Sequence, residues 1–405
     1  MMILLMAWRN IWRNKLRSLV IVLSIALGLF AGIAVLGLYK GMMKSRVRDV
    51  IDAEQGHLQI HEPGFKKDEE PKFILSDGQM LFNTINKLPQ VKAASPRSVT
   101  NGMLATASGS AGVRINGIIP ELEYRTSQLK AKITDGQPFD ANRRNQVMIG
   151  KKLALKMKLK TGSKLVLTFT DSTGNLVSGA FRVAAIYQSN NTPLDERNVY
   201  VRIADLDNLL NIPGAFHEIA VLLKNDEEVV SVQTLLQRRF PGYQIENWRE
   251  ISPETDLLIK TTNQYSYIIM VIIMFALAFG IVNTMLMAIL ERTREIGMMV
   301  ALGTTRIRVF FLILTETIFI TVAGAPAGIL AGWIVVGYFN KSGLNIAGMG
   351  KEMMSSFGFG TMVYPEFPGD KLPGILLIVI GTAIISSLFP AIKALRLRPA
   401  AALMR

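Results

Sequence analysis

Hydrophobic residues in this chain follow two regimes. Four stretches are predominantly apolar: Ser18 to Leu38, Ser266 to Leu290, Val309 to Phe339 with Glu316 inside it, and Leu372 to about Ile392. Each meets or exceeds the roughly 20 residues that a helix needs to cross a hydrocarbon core of about 30 Å. Each is therefore predicted to be a membrane helix. The first has too long an apolar core for a cleavable leader, and no small-residue cleavage site follows it. It reads as an uncleaved first helix. Between the first two, residues 55–251 mix short alternating runs with helical periodicities, which marks a folded domain. The predicted fold class is membrane α-helical, with four transmembrane helices and a large α+β extracytoplasmic domain between helices 1 and 2.

Within that domain the pattern predicts strands at His57–His61, Val91–Thr106, Val113–Ile119, Gln146–Ile149, Val199–Arg202, Glu218–Leu223 and Tyr243–Trp248. A hairpin is predicted from Lys164–Thr170 and Ala180–Tyr187. Helices are predicted at Gly78–Leu88, Lys151–Leu159, Asp205–Leu210 and Glu227–Phe240. The middle of this stretch inserts between its outer parts, which predicts two subdomains. Helical character continues at both ends. Lys40–Glu54 is polar, with Met43, Val47, Val50 and Ile51 on one stripe, and would carry the first helix about 22 Å beyond the bilayer. Before the second membrane segment, Ser252 suits a cap, Pro253 the first helical position, and Glu254 and Asp256 the positive N-terminus. That extension is about 20 Å. Two stalks of matching length are expected to hold the domain off the membrane. The predicted plan is an elbow (1–17), helix 1 with its stalk (18–54), the domain (55–251), a stalk with helix 2 (252–290), a surface segment (291–308), helix 3 (309–339), an outer loop (340–371), helix 4 (372–392) and a tail (393–405).

The surface segment is more than a turn. It opens with Glu291, Arg292, Arg294 and Glu295, runs through apolar residues punctuated by Gly297 and Gly303, and adds Arg306 and Arg308. Ile296, Met299, Val300 and Gly303 fall at i, i+3, i+4 and i+7, on one face of a short helix lying at the membrane surface. A basic flank with no partner would account for the charges alone. The apolar face favours docking into a cleft of another protein. At the N-terminus, Leu4, Leu5, Trp8, Ile11 and Trp12 can share a face against lipid, with Arg9, Arg13 and Arg17 opposite, as in an interfacial elbow. In the third membrane segment, Gly324, Gly328 and Gly332 have the small-xxx-small spacing of close helix packing, and Pro326 is a possible kink whose freed carbonyl neighbours can satisfy. Glu316 is an acid roughly 12 Å inside the same segment. Such residues usually face a protein interior. The reading is a polar contact coupling this helix to the surface helix or its neighbour, with snorkelling or a backbone contact as the alternative.

Charge refines the picture. The chain has 45 Lys/Arg against 31 Asp/Glu, a net +14. A basic protein of this kind could bind nucleic acid, but the distribution argues against it. Arg9, Arg13, Lys15 and Arg17 precede the first apolar segment, Arg292, Arg294, Arg306 and Arg308 lie in the surface segment, and Lys393, Arg396, Arg398 and Arg405 lie in the tail. By the positive-inside rule these mark the cytoplasmic side, with the large domain opposite. There is no cysteine, so disulfide and thiolate chemistry are excluded. No G-x-x-x-x-G-K-[ST] run offers a phosphate cradle. His57 and His61 share a strand face but lie about 13 Å apart, too far for one metal, and a surface role is expected for both. No carboxylate clusters with His or Ser catalytically. No catalytic, cofactor or metal residue is assigned, and the chain is not read as an enzyme.

ERTREIGMMVALG, followed by Thr-Thr-Arg and a membrane helix with an early acid, resembles the coupling segment of FtsX/MacB-type ABC transporter permeases. GHLQIHEPGF, ASPRSVTNGML, INGIIPELE, IGKKLALKMKLKTGSKLVLTF, FRVAAIY and LDERNVYV resemble the extracytoplasmic domain of the lipoprotein-releasing, Lol-type members, and SLFPAIKALRLRPAAALMR resembles the family's terminus. The resemblance implies a subunit of an inner-membrane exporter. Its partners would be a cytoplasmic ABC ATPase dimer, which carries the ATP and Mg, and a second permease copy or paralogue. The implied coupling residues are Glu291, Arg292, Arg294, Glu295, Ile296, Gly297, Met299, Val300 and Gly303. The implied substrate is a lipoprotein held between helices 1 and 2, with Phe30, Tyr39, Met270, Met274 and Phe275 as candidate cavity residues or, alternatively, packing and lipid-facing positions. A periplasmic carrier is a further partner of that family. The hook that recruits it corresponds here to a short polar turn, Asp171–Gly179, which departs from the pattern. Drug or peptide efflux of MacB type, and FtsX-like signalling to a cell-wall hydrolase, are the alternatives.

Overall fold

The structure, a computed structural model, describes residues 2–13 and 15–395. The family-like tail with Arg396, Arg398 and Arg405 lies outside the described residues, as do the side chains of Leu4, Ile11, Trp12 and Arg17 from the predicted elbow face. The chain divides into two units. One comprises Met1–Met43, Ile259–Leu344 and Met362–Arg405, and the other Lys44–Leu258 and Asn345–Thr361.

The first unit is helical. Its elements are α1 (Met2–Arg13), α2 (Lys15–Val50), α3 (Pro253–Glu291), α4 (Thr293–Ala301), α5 (Arg306–Ser342) and α6 (Leu372–Leu395), of which α2 and α3 continue into the second unit. The four long helices contain spans apolar enough to cross a membrane, at Ser18–Val50, Pro253–Glu291, Arg306–Ser342 and Gly369–Leu395. Ile25 and Leu29 of α2, Ile281 of α3, Ile320 of α5 and Val379 of α6 meet in one core. Leu27, Phe279, Leu330 and Leu377 stay exposed, as expected of side chains that face lipid. The predicted glycine stripe of α5 packs on α2. A Cβ at Gly328 would lie 2.7 Å from the Ala26 carbonyl oxygen, and one at Gly332 2.7 Å from Ile33. Only a hydrogen fits there, so the small residues set the interhelix distance. α5 continues through Pro326.

The second unit is α+β, built on a ten-stranded mixed sheet. Its strands are β1 (Leu58–His61), β2 (Val91–Thr106), β3 (Gly109–Ile118), β4 (Ile133–Gly136), β5 (Gln146–Gly150), β6 (Lys164–Thr170), β7 (Leu176–Tyr187), β8 (Asn198–Arg202), β9 (Glu218–Leu223) and β10 (Gln244–Asn247). The order is β10-β1-β9-β2-β3-β8-β5-β7-β4, with β6 pairing β2 and β7. β2 unites the two predicted subdomains. Val91–Arg97 pairs with β9, and Arg97–Thr106 pairs with β3. Leu58, Ile60, Leu81, Ile219 and Leu236 form one core from the outer chain segments, whereas Leu104, Ile115, Ile149, Leu167 and Val201 form another from the inserted middle. Each such side chain, fully buried, contributes roughly 1.5–3 kcal/mol. β3 begins at Gly109 rather than Val113, because Thr106 and Gly109 close a tight turn and the Gly-rich stretch pairs instead of looping.

The alternation in β1 sends Leu58 and Ile60 into a core and Gln59 and His61 to the opposite face. That face is buried too, so the surface role expected for His57 and His61 is overturned. His57 Nδ1 accepts the Leu223 amide at 3.0 Å, while its Nε2 lies 2.9 Å from Asp226. His61 Nε2 lies 3.4 Å from Glu218. Buried charges must pair, and here they do. Arg97 donates to Glu123 at 2.9 and 2.7 Å and to Glu218 at 2.9 Å, and Arg114 pairs with Glu69 at 3.1 Å and Glu218 at 3.4 Å. Burial alone would raise the Glu218 pKa. The His61 hydrogen bond and the two arginine charges outweigh it and hold the carboxyl well below the usual range.

Candidate functional site

The segment joining α3 to α5 is built by two interruptions of helix. α3 ends at Glu291, and Thr293 turns its hydroxyl back to the carbonyls of Ile289 and Leu290, at 3.1 and 2.9 Å. α4 ends near Leu302. Gly303, at φ 93°, supplies the left-handed residue there, with its amide on the Val300 carbonyl and the Thr304 amide on Met299. This is a left-handed helix stop that glycine accommodates without a Cβ clash. Thr305 then takes an extended conformation from which α5 begins at Arg306. The predicted surface helix over 291–308 is thus a shorter helix between two breaks.

Its polar residues form a chain of contacts. Arg292 donates Nε to Glu295 at 3.1 Å and Nη1 to both carboxylate oxygens of Glu316 at 3.3 Å. Glu295 also pairs with Arg13 of α1. Burial would raise the Glu295 pKa, but hydrogen bonds from Arg13 and Arg292 lower it. Glu316 is 5% exposed. The network therefore joins α1, the start of α4 and α5. Trp8 of α1 adds an edge-on contact with Phe319 of α5 at 6.0 Å. The predicted contact from Glu316 to the surface segment is present, made by Arg292.

The apolar residues are arranged differently from the sequence reading. Ile296 and Gly297 are buried, and Met299 and Val300 pack against the membrane core. This stripe faces the chain's own helices, with Met299 and Val300 half-buried. Gly303 stays exposed at the turn. The outward face carries Glu291, Arg294, Met298 and Leu302, with Met298 50% and Leu302 83% exposed, and Ile307 beyond them. Arg294, Met298 and Leu302 are four residues apart, on one side of α4. Met298 and Leu302 were missed, and their placement four residues apart was the available signal.

The candidate cavity residues lie on α2 and α3 in different environments. Met270 and Met274 are buried in the membrane core, and Met270 Sδ faces the space beside Gly32 at 3.7 Å. Phe275 is 64% exposed on the other side of α3, while Phe30 and Tyr39 are half-buried on α2. One helix cannot turn residues 274 and 275 to the same side. The turn in place of a hook is compact. β6 and β7 pair down to Thr170 and Leu176, and Asp171 accepts the amides of Thr173 and Asn175 at 2.9 and 2.8 Å.

Four apolar helices, a large α+β domain inserted after the first, and a charged helical link between the second and third define a membrane permease subunit. Residues 18–239 match the family model of the MacB-like periplasmic core domain, and residues 267–399 match that of the FtsX-like permease C-terminal region. The chain belongs to the FtsX/MacB-type ABC transporter permeases and is a multi-pass membrane protein. It is 24% identical to the pyoverdine export ATP-binding/permease protein PvdT of Pseudomonas savastanoi pv. phaseolicola, over 98% of this chain and 58% of PvdT. It is 21% identical to the lipoprotein-releasing system transmembrane protein LolC of Xylella fastidiosa, over 95% of this chain and 93% of LolC. With the macrolide export ATP-binding/permease protein MacB of Agrobacterium fabrum it shares 22%, over 99% of this chain and 60% of MacB. The chain thus spans less than two thirds of PvdT and MacB.

Proposed function

We propose that this chain is the permease subunit of an inner-membrane exporter that extracts acylated lipoproteins, with ATP and Mg held by a cytoplasmic ABC ATPase dimer. Two permease copies, or this chain and a paralogue, would pair with it. The observation that carries the coupling role is the Arg13–Glu295–Arg292–Glu316 network. A displacement of α4 by the ATPase would be passed directly to α1 and α5 through charge-assisted contacts, which are about twice as strong as neutral ones. The continuous helices α2 and α3 run on into the α+β domain and would transmit it without opening a channel. The termini and α4 would be cytoplasmic and the domain periplasmic.

Similarity to LolC along nearly its whole length supports lipoprotein release. The equal similarity to PvdT and MacB supports a second reading, export of a small molecule. The compact Asp171 turn leaves no extended hook for a periplasmic carrier, so a carrier would have to dock elsewhere. Affinity purification from native membranes in mild detergent, with mass spectrometry of proteins and lipids, tests both. We expect an ATPase together with triacylated lipoproteins. An ATPase with an adaptor or hydrolase and no lipoprotein would move the assignment to efflux or signalling. Absence of any ATPase would overturn the exporter reading.

A further inference from the structure

The buried polar face of the α+β domain borders a cavity of about 380 Å³ that the proposed transport cycle does not use. It lies wholly within the second unit. Gln55 ends the helical turn that follows α2, and Glu254 is in the first turn of α3. The two junctions touch, because Gln55 Nε2 donates to Ser252 Oγ at 2.6 Å. Much of the cavity wall is already neutralised, since Glu218 and Glu69 are held by Arg97 and Arg114.

Two charges on the cavity are not. Arg197, at the end of the helix Thr192–Arg197, and Glu254 both line it and both are exposed. Among the described residues neither side chain has an ion pair or hydrogen bond, and they do not come within 4.0 Å of each other. Behind them are two buried polar atoms without a hydrogen-bond partner, Gln55 Oε1 and His61 Nδ1. His61 Nε2 is directed at Glu218, which leaves its Nδ1 as the orphan. Buried polar atoms are nearly always satisfied, so two orphans on residues of one cavity are informative. Phe65, stacked between His61 and His217, and Leu194 supply apolar wall.

An unpaired cation and an unpaired anion on one cavity match a ligand carrying both charges. We propose that this cavity binds a small zwitterion, with an ammonium and a carboxylate or phosphate on a short scaffold. Its anionic end meets Arg197, and its ammonium meets Glu254. Two sources share this chemistry, the end of a short peptide and a phosphoethanolamine headgroup. The bound molecule would span Arg197 and Glu254 within the second unit. This site does not depend on which cargo the permease moves.

The test uses the full chain in dodecyl maltoside and titration calorimetry. The probes are glycylglycine and sn-glycero-3-phosphoethanolamine, with acetate and ethanolamine as single-charge controls. We expect saturable binding of one zwitterion, weakened at least tenfold in both Arg197→Ala and Glu254→Gln. Both residues are exposed, and unchanged thermal unfolding without ligand confirms that the variants fold. Binding of glycylglycine identifies a peptide site, and binding of the glycerophosphodiester identifies a headgroup site. No binding of either by the wild type overturns the proposal. So does equal affinity in both variants, or an affinity for acetate or ethanolamine that matches the zwitterion.

Discussion

An acid inside an apolar helix needs a partner, and Glu316 has Arg292. Its position announced that need in the sequence. The identity of the partner did not follow, because Arg292, Arg294, Arg306 and Arg308 all lie close along the chain. Asp207 is the opposite case, a carboxyl that nothing in the sequence marks. It is 7% exposed and accepts from Ser98 Oγ at 2.6 Å. Burial raises its pKa to about 7, against that hydrogen bond. In an unfolded chain the group titrates near ~3.9. Between these values the folded protein holds a proton that the unfolded chain has released, so stability falls as pH rises from about 4 to about 7, then levels off. Asp207→Asn removes the ionisation. We expect its advantage in Tm over the wild type to grow from pH 5 to pH 8 by several degrees, corresponding to roughly 2–3 kcal/mol. A difference independent of pH would mean that Asp207 ionises as if exposed.

At the scale of the element, α4 has two apolar sides with different work. Helical spacing identified Ile296, Met299 and Val300 as one face, and they do share one. Periodicity alone cannot say whether an apolar face meets the rest of its own chain or a partner. Tertiary packing assigns these residues to the membrane core and leaves Met298 and Leu302 outside. Replacing Met298 and Leu302 together with serine should reduce ATPase co-purification at least tenfold with little change in unfolding temperature. Ile296→Ala should instead lower stability by about 2–5 kcal/mol, the cost of a cavity in a packed core. If the double variant retains its ATPase and Ile296→Ala loses it without destabilisation, the inner stripe is the docking face after all. The glycine stripe of α5 was more legible, because a spacing of four residues leaves a groove that only another helix backbone fills, and α2 fills it.

For the whole molecule, reporter fusions test the orientation read from the basic flanks. The β2–β3 turn at Gly109 has open space around it, so an insertion there should be tolerated. A phosphatase or fluorescent reporter at Gly109 and another at the C-terminus should report opposite sides of the membrane. The same side for both would overturn the assigned topology.

Apolar length alone determined the four membrane helices, because a shorter helix cannot span the hydrocarbon core and a more polar one carries side chains that are costly in lipid. The order of charges and glycines in 291–308 carried the family, and hairpin and helix periodicities carried most elements of the inserted domain. Only the tertiary structure decided which face of α4 is free and that His57 and His61 are buried. It also separated Met270 and Met274 from Phe275. Local pattern specifies which residues share a side. What lies on that side depends on elements far apart in the chain, as where Arg13 meets Glu295 and Arg97 meets Glu218.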